Sequence, residues 1–175
     1  MTRRFILVLA SLATFVLASL AVVPAQASQA ELDLLKAYIG GWSGAGVLVG
    51  GKEPEPFRCR LTIDKGNQAK INYAGRCTLV NMNLSISGTI AFDDKSRTYQ
   101  AVMSSNAGFK GVAIGQIKGD QISFDLAEKQ SDRAGNAVRI GSQITLIGAK
   151  SITVDFQVEF NNSGNVLTAT VPFNK

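Results

Sequence analysis

The chain has 175 residues, with 18 basic and 13 acidic side chains, a formal net charge of +5, no histidine and two cysteines. No run of Lys or Arg interleaved with aromatics occurs, so this mild positive charge is not a nucleic-acid footprint. Without histidine the chain lacks the usual general base, the usual zinc ligand and the commonest axial haem ligand, and it cannot assemble a Ser-His-Asp or Cys-His nucleophilic site.

Residues 1–27 read as a cleaved secretory signal. Arg3 and Arg4 precede an apolar stretch over 5–23, and Ala25-Gln26-Ala27 is a small-x-small pattern that signal peptidase accepts. The competing reading is a retained anchor, because the apolar stretch approaches the roughly 20 residues that span a bilayer as a helix; Ser11, Thr14, Ser19 and Pro24 weigh against it. Cleavage predicts a periplasmic or secreted protein. It leaves 148 residues, 28–175, a normal size for one domain with one core. Taking Arg3 and Arg4 from the 18 basic residues leaves 16 against 13 acidic ones, a balance of +3. No second long apolar run follows, so no transmembrane span is expected after signal removal.

Ser28 can cap a short helix running through Glu31, Leu32, Leu34, Leu35, Tyr38 and Ile39, with Gly40-Gly41 as its stop. From Gly44 onward the period is two. In 152–160 every second residue is apolar and every intervening one polar, and 57–63, 84–90, 122–126 and 167–171 alternate in the same way. Further candidate strands lie around 44–49, 69–73, 98–103, 111–117 and 138–147. Such alternation marks sheets with one buried and one wet face, which favours antiparallel pairing.

Turn-forming clusters such as Asp93-Asp94-Lys95-Ser96, Lys118-Gly119-Asp120 and Asn161-Asn162-Ser163-Gly164 fall between successive runs. Short turns join neighbours, so the simplest topology is an up-and-down meander. A meander of this many strands leaves two long exposed edges unless it closes. The expected fold is therefore all-β, a closed antiparallel up-and-down barrel of about 8–10 strands with a short N-terminal helix plugging one mouth; a two-sheet sandwich is the alternative. The longest loop is expected over 129–136.

Cys59 and Cys77 both lie in the part expected to be exported. In an oxidising compartment they most simply pair, and a loop of this length contributes about 3 kcal/mol in the chain-entropy model. A redox-cycling pair would call for a C-x-x-C spacing, which is absent.

Gly40-Gly41-Trp42, set between a helix stop and a Gly-rich first strand, resembles the G-x-W start of lipocalin-like, or calycin, barrels. The resemblance extends in architecture over 28–175 and implies that Trp42, the single tryptophan, closes the barrel floor, with the glycines letting the strand bend across it. Gly41-Trp42 followed by two strand cysteines is also similar to small periplasmic inhibitors of secreted metalloproteases. Those are disulfide-bonded barrels with an N-terminal trunk that enters the protease cleft; this chain is longer and spaces Trp42, Cys59 and Cys77 differently. The set Trp42-Ser43-Gly44, Arg58-Cys59-Arg60 and Arg76-Cys77 is similar to exported alphaproteobacterial proteins that carry no assigned function.

Alternation points Phe57, Leu61, Tyr73, Ile86, Phe124 and Phe156 inward, together with Ile71, Ile90, Val154 and Val158, which makes the lining mostly apolar. About eight strands can be filled completely by their own side chains, whereas about ten enclose more space than that. The leading expectation is a small apolar or amphiphilic ligand inside the barrel, against a solidly packed core. No enzyme, cofactor or metal is expected. Asp93, Asp94, Asp120 and Asp132 sit in apparent turns, Asp125, Asp155 and Glu159 lie on polar faces, and no phosphate-binding glycine loop occurs. The alternative function is protein interaction or inhibition at the cell envelope through Arg58, Arg60, Lys70 and Arg76. Arg58 and Arg60 face away from Cys59. If the disulfide joins paired strands, Lys70 and Arg76 join them in one basic surface for an acidic partner or anionic lipid headgroups; a solvated face explains the same residues.

Overall fold

Ten strands follow one helix in the computed structural model of the chain, which describes residues 25–80, 82–131 and 134–175. The predicted signal segment lies outside the described residues except for its last three, which form the start of α1 (Ala25–Lys36). Ser28 therefore sits within that helix and not at its cap. The strands are β1 (Gly40–Leu48), β2 (Glu55–Lys65), β3 (Lys70–Thr78), β4 (Asn83–Asp93), β5 (Thr98–Ser105), β6 (Lys110–Lys118), β7 (Gln121–Ser131), β8 (Ala137–Ile147), β9 (Ser151–Phe160) and β10 (Val166–Asn174). Each pairs antiparallel with the next, and β10 pairs with β1, so the sheet closes into a barrel.

Period-two alternation carries through to burial. In β2, Phe57, Cys59, Leu61 and Ile63 are buried while Arg58, Arg60, Thr62 and Asp64 are exposed. Closure leaves no edge strand to template aggregation. The connections at the α1 end run two to four residues, and those at the opposite end four to six.

The α1 end is sealed. Leu35 and Tyr38 are fully buried beneath the barrel, and Trp42 is 3% exposed. Tyr38 and Trp42 stack with ring centroids 6.1 Å apart. The Tyr38 hydroxyl accepts the Ala149 amide at 3.0 Å, and the Tyr99 hydroxyl donates to the Glu31 carboxylate. Lys175 completes the seal from outside, with its ammonium 4.9 Å above the Trp42 ring and donating to the Ala37 carbonyl at 3.0 Å. The helix is thus docked on the barrel through Glu31, Leu35 and the Tyr38 that follows it.

Glycines in the wall make room for large side chains. The Phe124 ring lies on Gly115, where an added Cβ would come within 2.4 Å of it, and Tyr73 covers Gly88, where a Cβ would come within 2.5 Å of the phenol oxygen.

Two elements extend past their expected ends. β3 continues from Ala74 to Thr78 because Gly75 lets Ile86 of β4 pack close. The loop expected over 129–136 is largely hairpin. Lys129, Gln130 and Ser131 pair with Arg139, Val138 and Ala137, so the polar composition there belongs to a barrel rim.

Candidate functional site

Burial falls along the barrel axis. Near α1, Trp42, Ile63, Ile71, Tyr99, Ile122, Phe124, Leu146 and Ile152 are buried; towards the opposite mouth Val138, Ile140 and Val158 on β8 and β9 are buried as well, whereas Leu48, Ile86, Met103, Phe156 and Phe160 are only partly so. The buried residues also fall into two separate clusters. The larger starts at Leu35 and Trp42 and takes residues from all ten strands, and the smaller comprises Val138, Ile140 and Val158 with Phe109, Phe156 and Phe160 packed on it.

The expected lining divides along that gradient. Leu61 (8% exposed) is paired with Trp42, and Phe124 (0%) is closed off on Gly115, so both belong to the floor. Phe57, Ile86 and Phe156 stand higher, whereas Tyr73 lies opposite Ile63, nearer α1 than Leu61. Tyr73 is bound into the wall, its hydroxyl donating to the Val102 carbonyl at 3.0 Å, and burial pushes its phenol up to about 12.

Polar groups at the mouth were hidden in a stretch that reads as loop. Glu128 and Gln130 continue the inward alternation of Phe124 and Leu126. The backbone ladder between β6 and β7 stops at Ile114 and Asp125, and beyond it the Gln130 carboxamide takes over the pairing. Its Oε1 accepts the Lys110 amide at 2.9 Å and its Nε2 donates to the Lys110 carbonyl. Glu128 sits over Gly111 with no hydrogen-bond or ion-pair partner among the described residues. The only signal for it in the sequence is the period of two running on past Leu126.

Cys59 and Cys77 are directly opposite on β2 and β3 and form the disulfide, with their Cα atoms 4.0 Å apart. The same register sets Arg60 directly opposite Arg76, with Arg58 one row further, opposite Thr78. Lys70 does not join them. It pairs with Ala91 at the other end of β3, six residues or about 20 Å along the strand from Arg76.

Two grooves mark the outer surface. One, of about 660 Å³, lies over β7–β10 and the end of β1. Its polar side chains are bonded to one another, Gln143 donating to Asp125 at 3.0 Å and Thr170 to Asp155 at 2.6 Å. The second, of about 600 Å³, lies over β2–β5 and contains Arg60 and Arg76. Among the described residues no group of three or more metal-ligating side chains occurs, and no helix is long and apolar enough to cross a membrane.

No protein-family model matches the sequence, and no curated protein does. Solved structures do match. Rv2717c from M. tuberculosis superposes with a TM-score of 0.60 at 15% identity, over 86% of this chain and 98% of that one. The S-type phycobiliprotein lyase CPES from Guillardia theta superposes with a TM-score of 0.53 at 11% identity, over 81% of this chain and 89% of its own. These likenesses show a small β-barrel fold, in keeping with the closed ten-strand barrel described above. Identities this low establish the architecture alone, and the chemistry of the mouth has to be argued from this chain's own residues.

Proposed function

We propose that this is an exported, non-enzymatic binding protein whose barrel takes a small apolar or amphiphilic ligand through the mouth opposite α1. The observation that carries this reading is the set of partly exposed, inward-facing Ile86, Met103 and Phe156 towards that mouth. Partly exposed apolar side chains gain dispersion contacts when an apolar ligand covers them. Glu128 supplies a charged acceptor at the entrance, which suits an amphiphile with a cationic or hydrogen-bond-donating head. The absence of histidine from the whole sequence supports binding over catalysis.

The test is native mass spectrometry of protein purified from its own host. The expected spectrum contains an extra mass that denaturation releases, and that a Phe156→Arg variant no longer carries. A clean protein mass from gently handled wild-type material would sink the proposal.

A further inference from the structure

We infer that the groove over β2–β5 is a binding site for a phosphomonoester dianion. Arg60, Arg76 and Ser85 form one outward row, since Arg60 is opposite Arg76 and Arg76 opposite Ser85. At roughly 4.8 Å between strands, this row is about 10 Å long. The neighbouring row sets Thr62 opposite Ala74, Ala74 opposite Ser87, and Ser87 opposite Ser104. The small Ala74 side chain leaves the centre of the groove open between two guanidiniums and four hydroxyls.

Three features separate this groove from an ordinary solvated face. Like charges directly opposite one another on a sheet repel, yet Arg60 and Arg76 are directly opposite and no acidic residue lines the groove. Neither guanidinium, and none of the hydroxyls of Thr62, Ser85, Ser87 and Ser104, has a hydrogen-bond or ion-pair partner among the described residues. Asn106, at the rim, is committed to the backbone, accepting the Ser85 amide at 2.9 Å and donating to the Asn83 carbonyl at 2.9 Å, so it holds the wall in place. The groove therefore offers two positive charges and four hydroxyls free to turn their donors inward, with no carboxylate to compete.

That combination selects the ligand. A carboxylate carries one charge and two acceptor oxygens, which leaves one guanidinium unneutralised. A phosphomonoester carries close to two charges and three terminal oxygens, each able to accept from a guanidinium fork or a hydroxyl. The groove volume of about 600 Å³ exceeds a phosphate group and leaves space for a small organic body.

The experiment titrates glycerol 2-phosphate into the full chain by calorimetry at constant ionic strength set with chloride, and in parallel measures binding to vesicles of phosphatidylcholine with and without phosphatidic acid. The variants are Arg60→Ala, Arg76→Ala, the double variant, Arg60→Lys, and Lys70→Ala as a cation outside the groove. Each alanine substitution is expected to weaken binding roughly ten- to hundredfold. Arg60→Lys retains the charge but loses the fork and should weaken binding, whereas Lys70→Ala should bind as wild type. Saturation of the soluble ester assigns a free phosphorylated ligand. Arginine-dependent binding confined to phosphatidic acid vesicles assigns a lipid headgroup. No binding in either arm, or equal binding by wild type and the double variant, overturns the inference. Because the site is on the outer wall, Phe156→Arg should leave this binding unchanged, which separates its failure from that of the interior pocket.

Discussion

The Trp42 indole donates its Nε1–H to the carbonyl of Tyr38, 2.9 Å away, across the junction of α1 and β1. The carbonyl lies at the helix end, where backbone acceptors lack intrahelical partners. One side chain therefore fills the barrel floor and satisfies the helix that seals it. Trp42→Ala is expected to cost about 3–5 kcal/mol, and Trp42→Phe, which chiefly leaves the Tyr38 carbonyl unpaired, about 1–3 kcal/mol. Urea unfolding followed by far-ultraviolet circular dichroism measures both, since Trp42 is the single tryptophan and its fluorescence goes with it.

The disulfide closes a loop with a sequence separation of 18 between two strands already in register. The chain-entropy model gives it about 3 kcal/mol. A Cys59→Ser/Cys77→Ser double variant should show the same barrel by circular dichroism with that much less stability. An unchanged denaturation midpoint would mean that the paired strands hold the unfolded loop closed without the bond.

Alkaline stability should report on Tyr73. Its phenol is pushed from 10.0 up to about 12 by burial, so the folded state holds the proton more tightly than the unfolded chain. The stabilisation is fully present below pH 10 and is lost as pH rises through 12. At about 1.4 kcal/mol per unit it amounts to roughly 3 kcal/mol. Chemical denaturation at a series of pH values should show this loss in wild type, and Tyr73→Phe should flatten it while losing the bond to Val102 at every pH. Burial also raises the phenols of Tyr38 and Tyr99, Tyr99 with help from Glu31, so some slope should remain in the variant.

Gly115→Ala tests whether the floor is close-packed. The new Cβ would meet Phe124 ring atoms at 2.4 to 2.8 Å, and Phe124 is itself fully buried and cannot swing away. Overpacking of this kind costs about 1–3 kcal/mol. Gly111→Ala, where the nearest atom is the far end of Leu126, should cost less. Thermal melts of the two variants give the comparison, and equal losses would show that the floor yields as readily as the mouth.

The strands were legible because alternation is a local property. Every apolar residue of 152–160 fell on one face whatever its partner, and the same held for Cys59 against Arg58 and Arg60. The rim was not legible. Glu128 and Gln130 face inward on the same alternation, but their polarity is indistinguishable from that of a loop until β8 is seen beside them. The start of α1 at Ala25 also escaped, since Ser28 is as good a cap by composition as any residue near it.

By itself, the sequence determined that β-strands would form and which side of each would be buried. These follow from side-chain period and from the steric needs of single residues. Only the tertiary structure decided which strands meet and in what register. That register set Arg60 against Arg76, left Lys70 at the far end of β3, laid Phe124 on Gly115 and closed β10 onto β1. The physical reason is that a two-residue slip keeps the buried and exposed faces of a strand but exchanges every cross-strand neighbour, and only packing across the whole barrel selects among the pairings that alternation allows.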